Sequence, residues 1–214
     1  MPEPTTLLLF GEPRLAVGES VVTLPEGGKR LIAYAALHRG RLDRRHAAGV
    51  LWPGGDDERA TGNLRSALWR LRAAGLPLLE ADKRQIWLHP GVAIDADQVA
   101  AWAQRLIGGG PATAQDEAAW RRSRPGLLPG WPDEWVGPHR ERLRQRVLHA
   151  MEARARALLA AGDPGRAVAA ARLLAAAEPL RATAHRILAE SLRAAGQSGA
   201  ARTVEVRFRT RAGS

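Results

Sequence analysis

Near its end the chain repeats itself. Shifting the sequence by 34 residues lays Ala150, Ala155, Leu158, Ala160, Ala161, Gly162, Gly165 and Ala167 on Ala184, Ala189, Leu192, Ala194, Ala195, Gly196, Gly199 and Ala201. Small residues at matched places and paired glycines at a turn are what a helix-turn-helix unit needs when it stacks on its own copy, because one such unit cannot bury its apolar face alone. The tail is therefore helical. The same character reaches back to about residue 95: after Pro90-Gly91 no strand pattern remains, and Asp95 or Asp97 caps a helix carrying Val99, Trp102 and Leu106. Gly108 to Pro111 and Arg124 to Pro138 are loops, and a long helix runs from about Pro138 to Ala161.

The first 94 residues obey a different period. Leu7-Leu8-Leu9-Phe10, Arg14-Leu15-Ala16-Val17 and Val21-Val22-Thr23-Leu24, parted by glycine turns, predict a three-stranded meander. From Lys29 the apolar spacing lengthens to that of a helix, which stops at Arg39-Gly40. Asp43 caps a second helix that Pro53-Gly54-Gly55 ends, and Asp56, Asp57 and Glu58 open a third running to about Ala74. On that third helix Ala60, Leu64, Ala67, Leu68 and Leu71 share one face, so Gly62, Arg65, Ser66, Trp69 and Ala73 point outward with Asn63, Arg70 and Arg72 on the flanks. Leu78-Leu79-Glu80 and Ile86-Trp87-Leu88 then flank a hairpin with a basic tip, Lys83-Arg84. The expected fold is α+β followed by all-α, with domains at 1–94 and 95–214.

Charge narrows the partners. The 214 residues carry a net +10, of which +3 falls in residues 1–94 and +7 in the remainder. Two windows are denser, with six cations against Asp43 over residues 29–45 and six against Glu80 and Asp82 over residues 59–84. The charge favours an anionic partner, although codon bias in a GC-rich genome would also raise the alanine and arginine content. No cysteine is present, which excludes a disulfide framework and a thiolate nucleophile and suits a reducing cytosol. The acidic start, Met1-Pro2-Glu3-Pro4, is no export signal, and no apolar run approaches the 18 residues of a membrane helix, so a cytoplasmic protein without membrane contact is expected.

Catalytic patterns do not emerge. No phosphate-binding loop, G-x-G-x-x-G, G-x-S-x-G or H-E-x-x-H string occurs, and the six histidines never fall three or four apart as metal ligands on one helical face would. Paired carboxylates stand where helices begin and read as caps. No enzyme, cofactor or metal is expected. Six of the seven tryptophans lie on apolar stripes or at element ends and predict packing. Trp69 lies opposite the leucine stripe, where it either meets DNA or a protein or else covers the sheet or the second module.

Strands, three helices and a basic hairpin form the layout of a winged helix-turn-helix, in which the third helix enters the major groove. At this point the chain resembles the Streptomyces antibiotic regulatory protein family, a response-regulator-type winged helix followed by a bacterial transcriptional activator domain. The resemblance rests on Leu24-Pro25-Glu26-Gly27-Gly28-Lys29-Arg30-Leu31-Ile32-Ala33-Tyr34, Gly49-Val50-Leu51-Trp52-Pro53-Gly54 and Asn63-Leu64-Arg65-Ser66-Ala67-Leu68-Trp69-Arg70-Leu71-Arg72. Asp95-Ala96-Asp97, Pro125-Gly126-Leu127-Leu128-Pro129-Gly130, Asp133-Glu134-Trp135-Val136 and the repeats, which resemble tetratricopeptide repeats, complete it.

The resemblance implies a transcriptional activator of a biosynthetic gene cluster that binds direct repeats in promoter double-stranded DNA and contacts RNA polymerase, with a homodimer on DNA as one arrangement. By position it implies that Asn63, Arg65, Ser66, Trp69, Arg70 and Arg72 form the recognition surface, and Lys83 and Arg84 the wing. The chain departs from the family in its wing strand, Gln85-Ile86-Trp87-Leu88 in place of Gly-Tyr-Arg-Leu, in Gly62 within the recognition helix and in the size of Trp69. Because the sequence ends at Ser214 soon after the second repeat, its last helix is expected to be exposed or covered by a partner. The competing reading is an adaptor whose winged helix and repeats bind proteins without sequence-specific DNA binding.

Overall fold

A computed structural model describes residues 4–76, 78–111, 113 and 115–212, and the Met1-Pro2-Glu3 start lies outside them. Contacts divide the chain into two compact units, residues up to Asp97 together with Pro125–His139, and Gln98–Arg124 together with the residues from Arg140 on.

In the first unit β1 (Thr5–Leu8), β2 (Arg14–Val17) and β3 (Ser20–Thr23) form the expected antiparallel meander. Leu7 and Leu15 are register partners and both are buried, as alternation on a half-covered sheet requires. A fourth strand joins beyond the meander: β7 (Val92–Ile94) pairs parallel to β1 and gives the order β3-β2-β1-β7. At three residues it is too short for its alternation to show in the sequence. Asp95, buried at the end of that strand, accepts the amides of Leu9 (2.9 Å) and Phe10 (3.3 Å). The loop between residues 125 and 135 closes on the same edge, because the Leu128 amide donates to the Leu9 carbonyl (2.9 Å) and Phe10 bridges Leu127. Asp133 pairs with Arg30, and the Trp135 ring meets Tyr34 edge-on at 5.2 Å.

Three helices follow the meander: α1 (Glu26–His38), α2 (Arg44–Leu51) and α3 (Asp57–Ala73). Asp43 caps α2 by accepting from the His46 amide (2.8 Å), and Asp56 caps α3 by accepting from the Arg59 amide (2.7 Å). Helices α1 and α3 cross so closely at Gly28 that a β-carbon there would lie 2.6 Å from Cδ2 of buried Leu71. Lys29 is also buried and is held by Glu12 and Glu26, whose hydrogen bonds raise its pKa above the ordinary lysine value. A small second sheet, β4 (Leu42–Asp43), β6 (Gln85–Leu88) and β5 (Leu79–Ala81) in the order β4-β6-β5, completes the winged helix.

The remaining helices are α4 (Asp95–Ile107), α5 (Gln115–Ser123), α6 (Val136–Ala160), α7 (Pro164–Ala177), α8 (Ala182–Ala194) and α9 (Ser198–Ala212). The 34-residue period is physical. Ala150, Ala155, Leu158 and Ala167 are buried, as are their counterparts Ala184, Ala189, Leu192 and Ala201. Gly162 and Gly196 both adopt a positive φ, +73° and +76°, where each helix turns back, a conformation that costs glycine nothing. In the second unit Asp116 sits fully buried among donors. It accepts from Trp102 Nε1 (3.0 Å), Arg105 Nη2 (2.6 Å), the Thr113 amide (2.8 Å) and the Thr113 hydroxyl (3.1 Å), with Arg154 Nε 3.5 Å away. This cluster ties α4, α5 and α6 together. Among the described residues no helix is long and apolar enough to cross a membrane.

Candidate nucleic-acid interface

Helix α3 has 17 residues, about 25 Å at 1.5 Å per residue, and its two faces divide as its sequence predicts. Ala60, Leu64, Ala67, Leu68 and Leu71 are buried toward α1 and α2. Asn63, Arg65, Ser66, Trp69, Arg70 and Arg72 are exposed, and Trp69 is 67% exposed, so the indole does not cover the sheet. Asp57 and Glu58 in the first turn and Arg70 and Arg72 in the last complement the helix dipole. Arg70 leans on α1: a β-carbon at Gly27 would collide with its guanidinium.

The tip of the hairpin between β5 and β6 is a rigid turn. Asp82 Oδ1 accepts the amides of Arg84 (2.8 Å) and Gln85 (2.7 Å), while the Asp82 amide donates to the Gln85 carbonyl (3.0 Å). Those two amides hold the Asp82 carboxyl below its ordinary pKa. The turn is moored to the start of α2, since the Arg44 amide donates to the Arg84 carbonyl (2.9 Å) and Arg44 Nη1 to the Asp82 carbonyl (2.7 Å). Lys83 and Arg84 thereby present exposed side chains from a fixed backbone.

The atypical wing strand also has a structural account. Ile86 is fully buried, and half-buried Trp87 donates through Nε1 to Glu80 (2.9 Å) while the Arg41 guanidinium stacks 4.1 Å over its ring. Where the resemblance expects an arginine in the strand, a cation from the α1–β4 connection lies over the tryptophan instead.

The two basic windows fare differently. In the first, Lys29 is consumed by Glu12 and Glu26, Arg30 by Asp133, Arg39 by Asp97, and Arg41 pairs with Asp82 at 3.6 Å. Only Arg44 and Arg45 are left to contribute beside the wing, and both are absent from the expected site because a two-residue strand, β4, brings them there with no legible pattern. In the second window none of Arg59, Arg65, Arg70, Arg72, Lys83 and Arg84 has an acidic side-chain partner among the described residues. Six cations are thus left without an acidic partner among the described residues in the same stretch of chain as the exposed Trp69. The other tryptophans pack: Trp102 and Trp120 are buried, and Trp52, Trp87, Trp131 and Trp135 are half-buried. Among the described residues no group of three or more His, Asp or Glu side chains is arranged to hold a metal ion.

Comparison with known proteins adds to this geometry. The sequence family described as bacterial transcriptional activator domain matches residues 95–211. Among solved structures, that of Mycobacterium tuberculosis EmbR in complex with a low-affinity phosphopeptide superposes with a TM-score of 0.73 at 19% sequence identity. The match covers 98% of this chain and 59% of EmbR, so the chain spans little more than half the length of that relative. At that identity the likeness is one of fold, and it fits a winged helix followed by a helical domain. No curated protein sequence matches the chain.

Proposed function

Because this chain belongs to the bacterial transcriptional activator domain family, whose members activate transcription, we propose that it acts by binding double-stranded promoter DNA through α3 and the wing. The observation that carries this reading is the outward face of α3, where Arg65, Ser66, Trp69, Arg70 and Arg72 stand exposed and the arginines lack acidic partners among the described residues. In this reading residues 1–94 form the DNA-binding domain, Asn63, Arg65 and Ser66 meet base edges, and Lys83 and Arg84 meet phosphates. Residues 95–214 form the activator domain, whose tetratricopeptide-like repeats engage RNA polymerase or pair two protomers on direct repeats. The regulated genes belong to a biosynthetic cluster, and the protein works in the cytoplasm.

The test is binding of the full chain to duplex DNA selected from a random pool, measured across salt concentrations. Each neutralised phosphate contributes about −0.9 to the slope of log K against log salt, so six contacts give a slope of about −5. Arg65→Ala is expected to cost about 1–3 kcal/mol on the selected site with little change in melting temperature, the loss of a bidentate contact to guanine. A slope near zero, with no sequence enriched, would refute DNA binding and leave the protein-adaptor reading, which the exposed indole of Trp69 also fits.

A further inference from the structure

Of the seven tryptophans Trp69 alone is exposed, leaving about two thirds of the 150–250 Å² that a tryptophan ordinarily buries in contact with water. Its surroundings on α3 raise it further. Ser66 lies three residues before it, Gly62 seven before and Ala73 four after, so the floor of that face is made of small side chains. A β-carbon at Gly62 would meet nothing nearer than Arg65 Nη2 at 4.0 Å. Arg65, one turn back, and Arg72, three residues on, are long exposed side chains on the same face. From Arg59 to Ala73 the helix carries four arginines and no acid.

The partner of this face must be negative at its margins and offer one small apolar group beside a polar acceptor. The floor of the major groove does so: phosphates line both rims, guanine offers O6 and N7, and the C5-methyl of thymine is the apolar group among the base edges. A protein partner would satisfy the indole, but it would need acidic residues for each surrounding arginine as well. Four residues of helix advance 6 Å, close to two base steps of 3.4 Å.

We propose that Trp69 reads a thymine through its C5-methyl, about two base steps from a guanine taken by Arg65. This rests on the DNA-binding reading above and names the base chemistry of its central contact. Small residues at 62, 66 and 73 let the helix seat deeply enough for the indole to reach the base edge rather than stop at the backbone.

The experiment selects a duplex with the full-length chain from a random pool and then replaces its thymines one at a time by deoxyuridine, which removes the methyl and leaves every hydrogen-bonding group. At one thymine the substitution is expected to weaken wild-type binding about fourfold, equivalent to the ~0.8 kcal/mol of one buried CH₂. Trp69→Ala is expected to bind the thymine and deoxyuridine duplexes equally, and Trp69→Phe to retain part of the discrimination. The scan with wild-type protein depends on no variant folding. Selection of a defined sequence with no sensitivity to deoxyuridine at any position overturns the methyl contact while leaving DNA binding intact. An unchanged deoxyuridine penalty in folded Trp69→Ala overturns it too. Failure to enrich any sequence refutes the DNA-binding reading itself, and takes the contact with it.

Discussion

Replacing Asp116 by Asn is expected to unhinge the helical module, although the two side chains have nearly the same size. The carboxylate is fully buried, accepts four hydrogen bonds from Trp102, Arg105 and Thr113, and faces Arg154, itself 8% exposed, at 3.5 Å. Asparagine keeps one acceptor but removes the charge that compensates both guanidiniums. Stripping one partner from a buried ion pair costs about 3–5 kcal/mol, because the remaining charge stays out of water. Against a total stability of about 5–15 kcal/mol that is a large share, and at roughly 2–4 °C per kcal/mol for a chain of this size the melting temperature falls by about 6–20 °C. Circular dichroism melts at pH 7 measure it.

The same group dictates an acid dependence. Burial pushes the Asp116 carboxyl up, but hydrogen bonds from the Thr113 amide, the Arg105 guanidinium, the Trp102 indole and the Thr113 hydroxyl outweigh it, and the net pKa lies below the ordinary 3.8. A depressed carboxylate stabilises the fold fully above its unfolded value and loses that contribution as pH falls through the lower folded one. Wild type is therefore expected to lose stability below about pH 4, and Asp116→Asn to lack that component. Joint replacement, Asp116→Asn with Arg154→Met, keeps an acceptor for the neighbouring donors, removes the buried guanidinium left unpaired, and is expected to recover part of the loss. A melting temperature for Asp116→Asn within about 2 °C of wild type, less than 1 kcal/mol, would refute the ion-pair reasoning.

Two further perturbations test packing. Ala155→Leu or Ala189→Leu places a large side chain at a fully buried repeat position and is expected to cost about 1–3 kcal/mol in thermal or urea unfolding, with unchanged values contradicting the repeat geometry. Gly28→Ala gains about 1 kcal/mol of helix propensity but drives a β-carbon to 2.6 Å from Leu71 Cδ2 and 2.8 Å from Cγ, so a net loss of up to about 2 kcal/mol is expected, and a net gain would show that α1 and α3 are free to separate.

The sequence by itself determined whatever depends on near neighbours along the chain. The leucine stripe of α3, its outward arginines and Trp69, the Asp43 and Asp56 caps, the hairpin and the 34-residue period all follow from spacings no longer than one repeat unit, and the structure places them as those spacings require. Periodicity decides which side of a helix is apolar before any partner is known. The exposure of the face proposed to bind DNA was legible on the same grounds, since an aromatic opposite an apolar stripe stands out in the pattern itself.

Only the tertiary structure decided which charges are spent. Lys29, Arg30, Arg39 and Arg41 look as basic in the sequence as Arg65 or Arg72, yet each meets an acid that lies elsewhere in the chain: Glu12, Asp133, Asp97 and Asp82. The pairing of β7 with β1, the seating of the 125–135 loop on Leu9 and Phe10, and the gathering of four partners around Asp116 are of the same kind. No local pattern encodes them, because a polar group's partner is chosen by what burial brings within about 3 Å of it, and that distance is unrelated to separation along the chain.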